Sequence, residues 1–319
     1  MEYVQLGSTD LKVSRIAFGT WQLSSKMWGA ISRENWCTAL RKAADLGVNL
    51  IDTAEAYGDG YAESCVGDLI ASEKIRDRFV IASKFHFNQD GQEQYPDSSY
   101  RNILRACEAS LRRLRTDCID LYQVHHWNSL AHPEEVAAAF GRLKEEGKIR
   151  WAGVCNMNVD QIHVFQRHWA IATLQSSYSL LVRDIERHEL PLCLEDRIGF
   201  LAYSPLYRGL LTGKYPRDHV FAEGRANLPL FGGSKFDRVL QALEAVKPIA
   251  QRLGLTLPMV AVRWVLTHPA VSSAIVGIKT SEQIESIAPA AGNPLPARDW
   301  HRIAEIMAQA QKEAEALPA

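Results

Sequence analysis

Several features that restrict function are missing from this 319-residue chain. Its charges nearly cancel, with 36 Lys and Arg against 37 Asp and Glu, which argues against a partner such as nucleic acid or an anionic membrane. The first residues lack the basic stretch and the apolar run of a signal peptide. No apolar run approaches the roughly 20 residues of a membrane helix. We therefore expect a cytoplasmic protein with no nucleic-acid or membrane partner.

Cysteine pairs in metal-binding spacing are also missing. The chain has six cysteines, and none of them forms a C-x-x-C pair. Structural zinc sites need closely spaced cysteine and histidine ligands, so we expect no metal site. The chain is long for a disulfide scaffold, and reduced thiols in a cytosolic protein are the simplest interpretation.

The glycine fingerprint G-x-G-x-x-G is absent after the first strand pattern, which argues against a doubly wound sheet. The chain instead contains eight short apolar runs that alternate with helix patterns. These runs cover residues 16–19, 48–52, 79–84, 119–125, 151–154, 173–175, 200–203 and 273–277. This alternation predicts an α/β fold, a (β/α)₈ TIM barrel, formed by one domain over residues 1–319.

Other segments are predicted to extend this barrel. Residues 3–6 and 11–13 flank a turn-rich stretch and predict an N-terminal β-hairpin. Residues 297–316 have the composition of an additional C-terminal helix. Residues 206–236 are rich in Gly, Pro and Arg, and they predict a long mobile loop that covers the barrel mouth. Helix patterns between the strands cover residues 34–46, 62–70, 100–114, 133–146 and 159–168.

Four residues able to carry a proton lie at or just after the ends of three successive strand patterns. Asp52 ends the second run, Tyr57 follows it, Lys84 ends the third and His125 ends the fourth. The carboxyl ends of the strands of a parallel barrel gather on one face, where barrel enzymes place their active sites. We therefore expect these four side chains to meet in space.

The four residue types together suit the reduction of a carbonyl by hydride. The carbonyl oxygen needs a proton donor within hydrogen-bond reach, and Tyr57 can serve. A free tyrosine has a pKa of roughly 10. A nearby ammonium such as Lys84 stabilises the phenolate and lowers that pKa. Asp52 would keep Lys84 charged, and a neutral His125 would orient the carbonyl.

Each of these residues also has a plain structural explanation. Asp52 could be an N-cap, and Tyr57 a rim aromatic. Lys84 could be the imine-forming nucleophile of an aldolase-like barrel. His125 and His126 could be metal ligands, or one of them a core histidine. Their arrangement at three consecutive strand ends favours a catalytic group over coincidence.

Four stretches of the chain resemble the aldo-keto reductase superfamily. They are residues 18–21 (FGTW), 51–58 (IDTAEAYG), 120–125 (DLYQVH) and 153–156 (GVCN). Residues 178–181 (YSLL) and 209–215 (GLLTGKY) are most similar to the bacterial stress-protein and sugar-reductase branch. The resemblance implies that Tyr57 is the general acid/base, that Lys84 and Asp52 tune it, and that His125 positions the carbonyl.

The resemblance also implies an NADP(H) site, with NAD(H) possible. Asn156 and Gln175 would hold the nicotinamide carboxamide, Tyr203 would stack on its ring, and Lys279 would meet a ribose 2′-phosphate. The residues expected to bind the cofactor are Gly19, Thr20, Trp21, Asp52, Cys155, Asn156, Gln175, Tyr203, Ser204, Pro205, Leu206, Gly209, Leu211, Gly213, Lys214, Gly277, Lys279 and Gln283. Cys155 replaces a common serine, and Ile287 replaces an asparagine near the adenine; both changes affect the expected contacts.

The expected substrate is a small aldehyde, ketone or sugar carbonyl, or a polyol in the reverse direction. The residues expected to contact it are Trp21, Tyr57, Phe85, His125, His126 and Trp127. Two rival hypotheses remain open at this point. One is a nicotinamide-binding regulatory subunit like the ion-channel β subunits, and the other is a lyase using Lys84 as an imine nucleophile. The assembly is expected to be a monomer or a small homo-oligomer.

Overall fold

A computed structural model describes residues 1–24, 28–29, 31–88, 95–128, 130–221 and 223–317. The strands are β1 (Tyr3–Gln5), β2 (Lys12–Ser14), β3 (Ile16–Gly19), β4 (Leu50–Asp52), β5 (Val80–Phe85), β6 (Ile119–Val124), β7 (Ile149–Cys155), β8 (Thr173–Ser177), β9 (Gly199–Tyr203) and β10 (Val271–Gly277). Strands β3 to β10 pair in parallel and close into a barrel, with β10 beside β3. The predicted (β/α)₈ barrel is confirmed.

Helices surround the barrel in the described part of the chain. They are α1 (Arg33–Asp45), α2 (Tyr61–Glu73), α3 (Tyr100–Leu114), α4 (Pro133–Glu145), α5 (Val159–Gln166), α6 (Glu189–Glu195), α7 (Gly233–Arg252), α8 (Leu257–Thr267), α9 (Ser281–Ile287) and α10 (Ala297–Glu315). The five predicted helices between strands and the C-terminal helix are confirmed. The sequence analysis did not predict helices α6, α7, α8 and α9.

Side-chain caps begin several helices. The Ser99 hydroxyl accepts a hydrogen bond from the Asn102 amide at the start of α3, at 3.4 Å. Asn158 and Gln161 exchange reciprocal side-chain and backbone bonds of 2.9 and 3.0 Å at the start of α5. Each cap satisfies amides that the first helical turn leaves without an internal partner. These local signals fix where each helix begins after its strand.

The N-terminal hairpin, confirmed as β1 and β2, closes one end of the barrel. Its side chains Leu6, Leu11 and Val13 are buried against the inward-facing residues of the barrel. Those inward-facing residues are Ala17, Leu50, Ala82, Leu121, Leu201 and Ile275. Gly7 in the hairpin turn packs so closely on the start of β9 that an added Cβ would lie 2.4 Å from the Gly199 amide nitrogen. The hairpin thus covers the amino ends of the strands and leaves the carboxyl ends open.

The C-terminal helix α10 packs on α7 and α8. The Trp264 and Trp300 rings stack with centroids 4.9 Å apart. Each indole N–H donates to the backbone carbonyl of the other tryptophan, at 3.0 and 2.9 Å. Arg252 of α7 donates to Asp299 of α10 at 2.6 Å. Together these contacts dock the predicted extra helix on the barrel.

The segment predicted as a loop over residues 206–236 has more structure than expected. It contains 3₁₀ turns at Tyr207–Thr212 and Glu223–Arg225, and its last residues already belong to α7. The Phe221 ring packs edge-on against Phe231 and Phe236, at 4.9 and 5.2 Å between centroids. This apolar contact gives the segment a small core of its own. Its mobility stays a prediction.

Within the described residues, no single helix combines the length and apolar character needed to cross a membrane. Helices α7 and α8, taken together as a pair bent by 81°, meet those criteria by length and composition only.

Candidate active site

The four predicted proton-carrying residues meet at the open end of the barrel. Asp52 is the last residue of β4, Lys84 the penultimate residue of β5, and His125 directly follows β6. The Lys84 ammonium donates to Asp52 Oδ1 at 2.8 Å, to the Thr53 carbonyl at 2.8 Å and to the Tyr57 hydroxyl at 3.3 Å. The Tyr57 and His125 rings meet edge-on, with centroids 5.7 Å apart.

Lys84 is fully buried, which is rare for a lysine. Burial lowers its pKa, but the Asp52 carboxylate and the Tyr57 hydroxyl outweigh burial, and the net pKa is raised. Lys84 therefore stays cationic. The ion pair gains strength from its dry surroundings, and its remaining N–H reaches Tyr57.

Burial is also the largest influence on Tyr57. It raises the pKa of Tyr57 above its ordinary value, although the Lys84 cation acts in the opposite direction. The sequence-based expectation that Lys84 leaves the phenol unusually acidic is wrong for this environment. Tyr57 is held protonated, which is the form that a proton donor needs.

His125 is a neutral imidazole. Burial lowers its pKa well below the usual value, and the Lys84 cation lowers it further. A neutral imidazole carries one donor and one acceptor nitrogen, so it can hydrogen-bond a carbonyl oxygen without adding a charge. This matches the role predicted for it.

The residues predicted to hold the nicotinamide lie beside this group. Gln175 at the middle of β8 donates to Asp52 Oδ1 at 2.8 Å, so its amide is held by the carboxylate that pairs with Lys84. The Tyr203 hydroxyl donates to Asn156 Oδ1 at 3.0 Å. Asn156 adopts a left-handed backbone with φ of 57°, and Cys155 before it is buried. The structure brings these four residues together on one side of the barrel mouth.

The segment after β9 shows an unusual backbone. Ser204 and Arg208 have positive φ values of 55° and 54°, and Gly209 has φ of 90°. The amides of Gly209 and Leu211 both donate to the Leu206 carbonyl, at 3.0 and 3.2 Å. These two amides therefore bond within the loop. Pro205, Gly213 and Lys214 lie in the same segment, and the cofactor contacts expected of the segment stay predictions.

The residues after β10 and β3 adjoin that segment. Gln283 accepts a hydrogen bond from the Lys279 amide at 2.8 Å, so it shapes the turn that follows Gly277. The Lys279 ammonium donates to the Trp28 carbonyl at 3.3 Å and lies 5.4 Å from the Trp28 ring centre. Gln22 occupies the space beside Gly277, where an added Cβ would lie 1.5 Å from Gln22 Nε2.

Unpaired polar atoms line this region. The Thr20 hydroxyl, the Gln22 side-chain oxygen, the Trp28 indole nitrogen and Arg225 Nε are buried without a hydrogen-bond partner in the part of the chain that the structure describes. Such atoms are rare in native structures and call for a partner. Arg208 lies over the predicted contact Trp21 at 5.4 Å, and Arg225 over Trp28 at 5.6 Å. Cationic, aromatic and amide groups of this kind fit an extended anionic dinucleotide.

One predicted substrate contact is wrong. Phe85 is 1% exposed and packs on Tyr122 and Phe140 in the layer between barrel and helices. Successive strand residues point to opposite faces, so Lys84 facing the barrel interior sends Phe85 outward. The next residue, His86, contacts the rings of His125 and His126, and the sequence analysis missed it.

The remaining predicted substrate contacts lie near the mouth. His126 stacks on His125 with ring centroids 4.8 Å apart. Trp127 is partly buried and packs edge-on against Phe165. Among the described residues, no three or more His, Cys, Asp or Glu side chains are placed so that they could hold a metal ion.

The sequence model of the Aldo/keto reductase family matches residues 15–308. The chain belongs to this family. The Aldo-keto reductase YhdN of Bacillus subtilis (strain 168) is 35% identical over 311 residues, covering 96% of this chain and 94% of that protein. The NADH-specific methylglyoxal reductase of Escherichia coli (strain K12) is 35% identical over 301 residues, covering 89% of this chain and 91% of that protein.

A solved structure of the family is similar throughout. The glycerol dehydrogenase of Gluconobacter oxydans superposes with a TM-score of 0.88 at 32% identity, covering 96% of this chain and 95% of that one. The family resemblance predicted from the sequence is therefore confirmed, and the chain is an oxidoreductase that acts on carbonyl or alcohol groups.

Proposed function

We propose that this aldo/keto reductase reduces small aldehydes, ketones or sugar carbonyls with NADP(H), and oxidises the corresponding alcohols in reverse. The observation that carries the proposal is the Tyr57 hydroxyl, 3.3 Å from a lysine ammonium that is itself paired with Asp52. A protonated phenol beside a fixed cation can release its proton to a carbonyl oxygen that gains negative charge.

Each residue has a distinct task in this proposal. Tyr57 donates the proton, and Lys84 stabilises the phenolate that remains, because the cation is already in place and need not reorganise. Asp52 and the Thr53 carbonyl hold the ammonium in position. His125 supplies a second, uncharged hydrogen bond that orients the carbonyl. When bound, the nicotinamide supplies the hydride.

The residues proposed to bind the cofactor fit a nicotinamide dinucleotide, and experiment will show whether it is NADP(H) or NAD(H). Asn156, Gln175 and Tyr203 would hold the nicotinamide end. Lys279 and Arg225 add positive charge near Trp28, which favours the extra phosphate of NADP(H). The relative named as NADH-specific supports the use of NAD(H) as the alternative. Turnover measured separately with NADPH and NADH will distinguish the two.

The printed names of relatives support the substrate class. One relative is named a methylglyoxal reductase, and a similar structure is that of a glycerol dehydrogenase. Their substrates are a small carbonyl compound and a polyol. We infer the same broad class for this chain, in a cytoplasmic protein that is a monomer or a small homo-oligomer.

The geometry argues against the lyase hypothesis. An imine-forming lysine must lose its proton to attack, whereas the pKa of Lys84 is raised because Asp52 and Tyr57 outweigh the effect of burial. A regulatory subunit that only binds nicotinamide would have no need for a buried proton donor. Both observations favour the reductase.

The substitution Tyr57→Phe tests the proposed proton donor. It removes one hydroxyl and leaves the ring, so we expect kcat for reduction to fall by about 10²–10⁴-fold, the usual contribution of a general acid. Cofactor affinity should stay nearly unchanged. The decrease in reduced-nicotinamide absorbance with a panel of aldehydes, ketones and sugars measures kcat. A fluorescence titration with the cofactor measures its affinity.

Tyr61→Phe is the matched control, because Tyr61 is 45% exposed and begins α2 four residues further on. It should keep wild-type turnover. Normal turnover by Tyr57→Phe would exclude Tyr57 as the acid, and cofactor binding without turnover of any substrate by the wild type would favour the regulatory subunit.

A further inference from the structure

A histidine without a role in the proposed reaction, His86, lies at the barrel mouth two residues after Lys84. Its ring centre is 5.5 Å from that of His125 and 4.9 Å from that of His126. The His125 ring in turn contacts Tyr57 at 5.7 Å. Tyr57, His125 and His86 thus form a series of neighbouring rings, and a substrate held by the first two would extend towards the third.

The backbone of His86 is fixed from both sides. Its N–H donates to Glu55 Oε1 at 2.5 Å, and the Phe87 N–H donates to the same oxygen at 3.0 Å. The His86 carbonyl accepts from the Asp97 N–H at 3.0 Å. Glu55 is only 4% exposed, and it lies in the turn between Asp52 and Tyr57. A buried carboxylate therefore couples the position of His86 to the catalytic turn.

The His86 ring is also held in place. The Phe87 ring lies 4.0 Å from it between centroids, and His126 packs beside it. Its Nδ1 atom is buried without a hydrogen-bond partner in the described ranges, so the ring has a polar atom that calls for a partner. Fixed rings and a fixed backbone are what a binding group needs to contribute affinity at low entropic cost.

The charge of His86 restricts what it can bind. Burial and, to a smaller extent, His126 lower its pKa to about 4, so the imidazole is neutral near pH 7. A neutral imidazole offers one donor or one acceptor to an uncharged oxygen. It provides no positive charge for a carboxylate, so an acidic substrate gains nothing from it.

We propose that His86 binds a second oxygen of the substrate, on the carbon next to the reacting carbonyl, and that Glu55 is the positioning residue for His86. Tyr57 and His125 hold the carbonyl oxygen, and His86 is the next polar ring along the series. The substrates are then small uncharged α-hydroxy or α-oxo carbonyl compounds, with vicinal diols in the reverse direction. This inference rests on the proposed reductase function and specifies its substrate.

Three aldehydes of the same chain length test the inference: propanal, 2-hydroxypropanal and 3-hydroxypropanal. The wild type should have its highest kcat/KM with 2-hydroxypropanal. His86→Phe keeps a ring but loses the hydrogen bond, so this preference over propanal should fall by about three- to tenfold. His86→Gln keeps a donor and an acceptor, and it should retain part of the preference. Both variants should bind NADPH with wild-type affinity.

Two variants of Glu55 test the positioning role. Glu55→Gln keeps an oxygen that can accept from the His86 and Phe87 amides, so the preference should survive. Glu55→Leu removes that oxygen, and KM should rise more for 2-hydroxypropanal than for propanal. His163→Phe is the control, because His163 is exposed on α5 and should leave all three aldehydes unaffected.

The outcomes separate the two proposals. An equal loss with all three aldehydes in His86→Phe, or a wild type that prefers 3-hydroxypropanal, would overturn the role of His86 and leave the reductase function standing. A wild type that turns over none of the three aldehydes, or any other carbonyl, would overturn the proposed function and this inference with it.

Discussion

At the scale of single residues, the site depends on a lysine that remains charged where no water reaches it. Removing an ammonium from water is costly, and a lone buried lysine would lose its proton. Here the Asp52 carboxylate and the Thr53 carbonyl each lie 2.8 Å from Lys84 Nζ. The same burial raises the pKa of Tyr57 and keeps it protonated. A protonated Tyr57 is the form that the proposed reduction would consume.

The three neighbouring histidines make the fold sensitive to acid. The pKa of His86 is about 4 in the fold because of burial and then His126, against roughly 6.5 in an unfolded chain. Between these values the unfolded chain binds the proton and the fold does not, so stability falls as pH falls through this window. His125 and His126, whose pKa values burial also lowers, act in the same direction.

Replacing His86 should remove part of this acid sensitivity. Between about pH 7 and 4.5, the free energy of unfolding of the wild type should fall by on the order of 2 kcal/mol more than that of His86→Asn. Urea unfolding at both pH values measures the difference. His163→Asn, at an exposed site, should follow the wild type. Equal losses in the wild type and His86→Asn would contradict the prediction.

The sequence alone was sufficient to predict that Asp52, Tyr57, Lys84 and His125 meet, because each lies at or just after a strand end. Sequence reasoning failed for the residues that follow Lys84. Phe85 was assigned to the substrate although strand alternation sends it outward from Lys84. The same alternation would have selected His86. The bond from Glu55 to His86 could not be predicted, because it joins two loops that only the barrel brings together.

At the scale of elements, helices α2 and α3 approach unusually closely at Gly67. A Cβ at this position would lie 2.1 Å from the Arg113 carbonyl oxygen and 2.7 Å from the Leu114 Cα. These atoms all belong to the backbone, so the overlap cannot be relieved by moving a flexible side chain. The absence of a side chain at Gly67 therefore sets how α2 and α3 pack.

Gly67→Ala should separate these two helices and destabilise the fold by about 2–4 kcal/mol, as overpacking in a core does. Gly141→Ala in α4 is the matched control, since its Cβ would meet only the Trp169 ring at an ordinary 3.6 Å. It should be neutral or stabilising by up to about 1 kcal/mol, because alanine favours helix over glycine. Urea unfolding compares the two; similar effects would contradict the packing argument.

Three of the four helices that the sequence analysis missed contain a proline. Pro191 lies within α6, Pro248 lies inside α7, and Pro258 opens α8. Proline removes a backbone donor and usually ends a helix. The sequence pattern of these segments therefore did not indicate a helix. It is tolerated in the first turn, where the amide has no internal partner. Only the Pro248 position runs against the rule, and there the packing of α7 on α10 supports the helix.

At the scale of the whole molecule, stability and chemistry are divided between the two ends of the barrel. At the closed end, Asp120 on β6 accepts from Arg76 at 2.7 Å, from Arg150 at 2.8 Å and from the Ile81 amide at 2.9 Å. Arg150 also reaches Asp10 of the hairpin at 2.9 Å. This network joins neighbouring strands far from Tyr57.

Asp120→Ala should therefore lower the free energy of unfolding by about 2–4 kcal/mol, since it removes a buried carboxylate that accepts from two guanidinium groups and one amide. Its kcat at 25 °C should match the wild type. Asp10→Ala should cost less than about 1 kcal/mol, because that carboxylate is largely exposed. Thermal unfolding and steady-state assays of both variants provide the comparison. A large loss of kcat in folded Asp120→Ala would contradict the division.

The alternation of strand and helix patterns was enough to predict the closed barrel, its hairpin and its C-terminal helix. It could not predict the contacts that shape the cofactor side of the mouth. The Lys279 ammonium donates to the Trp28 carbonyl, and Arg225 lies over the Trp28 ring, across long sequence separations. Such pairs depend on loop conformations for which the sequence carries no periodic signal.

The proton-transfer group and the predicted phosphate contacts come from different halves of the chain. Asp52, Tyr57, Lys84 and His125 belong to β4–β6 and their loops, whereas residues 204–214 and 277–283 follow β9 and β10. Exchanging residues 204–214 and 277–283 for those of a relative would therefore change the predicted phosphate contacts and leave Asp52, Tyr57, Lys84 and His125 in place. Evolution, or an engineer recombining family members at the strand boundaries, can alter the electron donor and the proton donor separately.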